Sequence, residues 1–141
     1  MPDITTEDRA AIHEVIALHG HLVDDREWDR LGEVFAEDVV FDVTDYGYGI
    51  VRGLQAVQDL ARGNQGDEGA PLGHHVTNVV VLGRDGATVR VRSKALTVTA
   101  TGTCGSAVYE DVLAPEARGW RISSRRAVAR QRGGEGAESL G

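Results

Sequence analysis

A chain of 141 residues with 41% hydrophobic and 26% charged content suits one folded domain around a single core, and this ordinary balance excludes a wholly disordered chain. The formal net charge of -7 argues against nucleic acid as a partner, because phosphate recognition needs a positive face. The lone Cys104 cannot close an internal disulfide, no apolar run reaches membrane-spanning length and no basic-then-apolar leader opens the chain, so a cytoplasmic setting without membrane contact is expected.

Thr5-Thr6-Glu7-Asp8 ahead of an apolar-periodic run predicts a helix over residues 6–24, with Thr5 and Asp8 at capping-box spacing. Its apolar stripe is Ile12, Val15, Ile16, Leu22 and Val23; the 3.6-residue period puts His19 inside the stripe and His13 and His21 outside it. Asp24 falls away from the stripe, which reads as a solvated carboxylate unless the helix ends or bends near Gly20. Residues 26–38 predict a second short helix with Trp28, Leu31, Val34 and Phe35 inward. Val39, Val40, Phe41 and Val43 form a first strand, and residues 46–53 a glycine-rich strand or bend. A third helix over residues 54–62 is amphipathic through Leu54, Val57 and Leu60, and the Gly-rich loop at 63–73 has the composition of a lid.

The rest reads as a meander of four long antiparallel strands, over residues 74–82, 87–101, 106–114 and 120–129, with turns at 83–86 and 115–119. In the second of these the apolar positions switch from odd (Val89, Val91) to even (Leu96, Val98), which predicts a β-bulge near residues 93–95. The expected architecture is α+β, three N-terminal helices packed on a cone-shaped curved sheet, in a single domain over residues 1–129. Residues 130–141 lack periodicity and are expected to be a flexible, dispensable tail.

The chemistry-bearing feature is His74-His75, at the mouth of an otherwise apolar strand. Alternation puts His74, Val76, Asn78 and Val80 on one face and His75, Thr77, Val79 and Val81 on the other. A polar ring in a buried strand must be hydrogen-bonded or face a cavity. The arginines from Arg118 to Arg132 carry no interleaved aromatics and read as a solvated strand face and tail. Trp28 and Trp120 read as core aromatics. There is no H-E-x-x-H, no C-x-x-C and no glycine-rich phosphate motif, so neither metal nor cofactor is expected.

The order of elements, with HLVDDREWDRLGEVFAEDVVFD at 21–42, HHVTN at 74–78 and GWRISSR at 119–125, resembles the SnoaL-like group of the nuclear transport factor 2-like superfamily over about residues 5–129. That group includes polyketide cyclases, scytalone dehydratase, ketosteroid isomerase relatives and a dehydrochlorinase. The resemblance implies that His74 is a general base, that Asp24 orients it and that Arg125 contacts substrate or leaving group. His19 matches the position of a helix 1 lysine in the dehydrochlorinase. Asn78 and the tyrosines Tyr46, Tyr48 and Tyr109 complete the substrate-facing candidates, although the tyrosines are displaced from those of the dehydratase.

A carboxylate beside an imidazole favours its charged form, fixes its tautomer and leaves the second ring nitrogen free to take a proton. The expected function is therefore proton abstraction in an apolar cavity, leading to cyclisation, dehydration or other elimination, or isomerisation of a small hydrophobic molecule such as a polyketide. The alternative is a non-catalytic ligand-binding or dimerisation module of the same fold. Apolar residues on both strand faces, such as Val79 and Val80, add a homodimer to the expectation.

Overall fold

The protein is described by a computed structural model over residues 3–63 and 70–130. Helix α1 runs from Thr6 to Asp24, and Thr5 Oγ1 caps it by accepting a 3.0 Å bond from the Asp8 N–H. Strand β1 (Phe35–Val43), strand β2 (Gly49–Arg52) and helix α2 (Leu54–Gly63) follow. Four long strands follow among the described residues: β3 (Pro71–Asp85), β4 (Thr88–Thr99), β5 (Cys104–Glu116) and β6 (Gly119–Arg130). They form one curved, unclosed six-stranded sheet in the order β2-β1-β6-β5-β4-β3, antiparallel except where β1 runs parallel to β6. The helices pack against it, α1 on β3 and β6 and α2 on β1. No helix among the described residues is long and apolar enough to cross a membrane.

The expected second helix shrinks to a 3-10 helix over Trp28–Glu33, and Phe35, Ala36, Glu37 and Asp38 belong to β1 instead. The decisive partner is remote in sequence. Phe35 pairs with Ile122 of β6, and a non-local ladder outweighs the local helical spacing of Leu31, Val34 and Phe35. The turn expected at 83–86 moves to Gly86 and Ala87, because Gly83, Arg84 and Asp85 still pair with β4. Residues 64–69, within the expected lid loop, and 131–141, within the expected tail, lie outside the described residues.

The register irregularities fall on β3, at three places, and not in the β4–β5 ladder. β4 pairs with β5 without a break from Val89 to Val98, and its odd residues Val89, Val91, Ser93 and Ala95 all face inward. The apparent switch of face arises because Ser93 and Ala95 are polar or small, whereas Leu96 faces outward and is exposed. On β3 the register slips between Thr77 and Val80, where Asn78 takes a left-handed φ of 55°. That slip turns Val79 and Val81 inward and Val80 outward.

The inward sheet face divides into two regions. Under α1, Val89, Val91, Leu113 and Ile122 meet Ile12, Ile16 and Leu22 in a close-packed core. Farther along the same strands the inward positions are small, namely Ala95, Ala107, Ala127 and Ala129, and a cavity of about 610 Å3 opens over them. Alanines where a core would need leucines leave the space that α2 and the start of β3 enclose without filling.

Candidate active site

Helix α1 and strand β3 approach each other more closely than side chains normally permit. Gly20 is the cause: a Cβ there would collide with the backbone carbonyl of His74. The helix does not end at Gly20 but runs on to Asp24. Because Gly20 belongs to the buried face together with Ile12, Ile16, His19 and Val23, that face reaches the next step of the i, i+4 row, and Asp24 stands at its rim.

There the Asp24 carboxylate takes both donors of His74. Oδ2 accepts the backbone N–H at 3.0 Å, and Oδ1 lies 2.7 Å from ring Nδ1. The two side chains are 18% and 22% exposed, partly screened from water. A carboxylate can only accept, so Nδ1 carries a proton, and in the neutral form of the ring Nε2 holds the lone pair. Asp24 ends the helix, where the macrodipole disfavours an anion, and the two donors offset that cost. His74 lines the cavity, while His75 is exposed on the outer face.

His19 also lines the cavity and is 7% exposed, its ring 6.2 Å from that of His74. Tyr109 is buried in the same wall, and Tyr46 and Tyr48 line the cavity from half-exposed positions. Burial raises the Tyr109 phenol above its ordinary pKa although Arg125 opposes the shift, so it is a neutral hydroxyl at physiological pH. Burial and the neighbouring Asp45 raise Tyr46 likewise.

Two expected substrate contacts are placed elsewhere. Asn78 sits exposed on the β3 bulge, outside the cavity, because the register slip removes it from the face it was expected to share with His74. Arg125 is fully buried behind the cavity wall and each of its three nitrogens has a partner: Nε and Nη2 bond the two carboxylate oxygens of Asp111 at 2.7 and 2.9 Å, and Nη1 lies 3.3 Å from His19 Nδ1. Its guanidinium lies 3.9 Å from the centre of the Tyr109 ring. Burial works against its charge, but Asp111 outweighs that and keeps the Arg125 pKa raised. It is a support beneath His19 and Tyr109, not a free anion contact.

Sequence reading missed Asp111 and Gly20. Asp111 has the parity of Ala107, Tyr109 and Leu113 on β5, and a charge on an inward face requires an opposite one across the ladder, where Asp111 pairs with Arg125. Gly20 carried a weaker signal, a glycine inside a helical stripe, which often marks close backbone approach. Among the described residues no cluster of three or more His, Cys, Asp or Glu side chains is arranged to hold a metal ion.

Comparison with known proteins agrees with this architecture. The SnoaL-like domain family matches residues 5–126. Among solved structures, an NTF2-like protein with a cystatin-like fold from Novosphingobium aromaticivorans is 26% identical, with 93% of this chain and 86% of that one covered at a TM-score of 0.74. A candidate scytalone dehydratase from the same organism is 17% identical over 94% of this chain and 93% of that one, with a TM-score of 0.72. The β subunit of a candidate aromatic-ring-hydroxylating dioxygenase, also from that organism, is 17% identical over 88% and 90%, with a TM-score of 0.66. No curated protein matches the chain in sequence.

Proposed function

The chain belongs to the SnoaL-like domain family, and on that premise we propose that it is a cofactor-independent acid-base enzyme acting on a small hydrophobic molecule. One observation carries the reading: the Asp24 carboxylate holds both the backbone N–H and the Nδ1 of His74 at the wall of an apolar cavity. Nε2 of His74 takes a proton from an acidic C–H bond, and the imidazolium that forms is held by Asp24. The enclosing apolar wall keeps bulk water from competing for that proton. Return of the proton at a second position gives isomerisation or cyclisation; its delivery to a departing hydroxyl gives dehydration. A polyketide-like substrate and a homodimer are part of the same proposal.

The test is deuterium exchange from D2O into a panel of aromatic and aliphatic β-dicarbonyl compounds, followed by NMR. His74→Ala and Asp24→Asn are each expected to slow exchange by roughly two to four orders of magnitude, with the double variant little worse than either because the pair acts as a unit. Asp24→Asn is informative because the amide keeps both contacts. Its oxygen accepts from the His74 N–H, but its NH2 donates to Nδ1 and forces the proton onto Nε2, the wrong tautomer for a base. His75→Ala is expected to leave exchange unchanged. Tight binding of these compounds with no exchange above background favours the ligand-binding module instead.

A further inference from the structure

His19 lies five residues before Asp24 on α1 and takes no part in the Asp24–His74 pair. Four strands contribute a defined neighbour to it. Phe35 of β1 stands edge-on at 5.5 Å, His74 of β3 at 6.2 Å and Tyr109 of β5 at 6.1 Å between ring centres. Arg125 of β6 lies 3.3 Å from Nδ1, its own charge balanced by Asp111 of β5. A guanidinium has donors and no acceptor, so Nδ1 of His19 must offer its lone pair. The single proton of the neutral ring is then on Nε2. Burial first, then the Arg125 charge and His74, hold the His19 pKa well below its ordinary value, so the ring stays neutral. The two ring nitrogens diverge; with Nδ1 turned to Arg125 behind the wall, Nε2–H is turned away from it, and the ring itself forms part of the cavity wall.

We infer that His19 is a fixed neutral hydrogen-bond donor, through Nε2–H, to the oxygen of a substrate carbonyl whose α-carbon His74 deprotonates, so the substrates of this cavity are enolisable carbonyl compounds. The inference rests on the proposed role of His74. The α C–H bond breaks and its proton passes to His74 Nε2. The bonding pair becomes the C=C bond of an enolate, and the carbonyl π pair moves onto oxygen. His19 holds that oxygen by a hydrogen bond and gives up no proton. The proton on His74 then returns to carbon or leaves with a hydroxyl. A preset donor in a site screened from water stabilises the charge where it develops, and a neutral imidazole does so without placing a second cation against Arg125. Arg125 is a positioning residue that sets the tautomer, which gives its buried ion pair with Asp111 a use beyond stability.

Two measurements on the whole chain test this. In 15N-histidine NMR, His19 is expected as the Nε2–H tautomer and to remain neutral as pH falls through 6.5; an Nδ1–H tautomer, or an imidazolium at pH 7, overturns the inference. The second uses 4-nitrophenolate as the probe, a flat oxyanion that mimics the enolate, at pH 8.5 with its absorbance as the readout. His19→Leu is expected to weaken its binding roughly 10- to 100-fold, the range for one hydrogen bond to a charged group, whereas His19→Gln, which retains an N–H donor, stays within about threefold of the wild type. Equal affinity in the folded Leu variant overturns the inference, and if that variant does not fold, the wild-type tautomer decides. The two readings fail separately: deuterium exchange undiminished in His74→Ala removes the base, while phenolate affinity undiminished in His19→Leu removes the donor.

Discussion

Protonating His19 places a charge with no acceptor against Arg125 inside the fold, and this gives the protein a specific weakness to acid. Because burial, Arg125 and His74 depress the folded-state pKa of His19 below 6.5, the unfolded chain binds more protons between that depressed value and 6.5. The stability held by neutral His19 is therefore fully present above about pH 6.5 and is lost as pH falls through that window. His19→Gln, which cannot titrate, is expected to show a flatter decline in Tm than wild type between pH 7 and 5, measured by thermal melts in matched buffers. Parallel declines would mean that other groups carry the acid sensitivity. Asp24 and Asp111 show how two buried-face carboxylates divide their tasks. One ties an imidazole to a cavity wall; the other neutralises an arginine that would otherwise be a bare charge.

Between elements, the distance from α1 to β3 decides whether the Asp24–His74 pair exists at all. Gly20 permits that distance, since any side chain there meets the His74 carbonyl. Replacing glycine by alanine within a helix normally stabilises by about 0.5–1 kcal/mol, but here overpacking wins, at a cost of about 1–3 kcal/mol. Gly20→Ala is thus expected to lower Tm and also to slow deuterium exchange about as severely as Asp24→Asn, because β3 must move off the helix and take His74 with it. A variant with a raised Tm and unaltered exchange would show that the strand does not press on the helix there. The bulge in β3 works with this contact. It lets one strand present His74 and Val76 inward near α1 and still turn Val79 and Val81 inward beyond Asn78.

At the scale of the molecule, the outer sheet face carries Leu96 of β4 with Val80 and Leu82 of β3, all exposed and interspersed with charged side chains such as Arg92, which pairs with Val80. Covering these side chains with a second copy removes apolar surface from water at roughly 25 cal/mol per Å2. A homodimer is therefore expected at tens of micromolar, with Leu96→Glu shifting it to monomer without loss of fold, as read by light scattering and circular dichroism. A monomeric mass for the wild type at that concentration would remove the dimer. The site itself is built within one chain, from α1, β3, β5 and β6, so monomeric Leu96→Glu is expected to keep its exchange activity.

Much of this was legible in the chain because it is local. The cap at Thr5, the helical stripe with His19 inside it, the four-strand meander and the adjacent His74 and His75 on opposite faces all follow from periodicity, which acts over a few residues. The resemblance to a known family added the pairing of Asp24 with His74, which the helical wheel alone opposed. What only the tertiary structure decided depends on contacts between remote segments. Phe35 joins a strand because β6 offers it a partner, Asn78 leaves the site because β3 slips against β4, and Arg125 retires behind the cavity because Asp111 lies beside it on the next strand. Gly20 reads as a weak point in a helix until a carbonyl from residue 74 is seen against it. Periodicity states which way a side chain faces only while the register runs unbroken, as it does not at Asn78; only the packed structure states what it meets there, and a tautomer or a buried ion pair is set by the partner it meets.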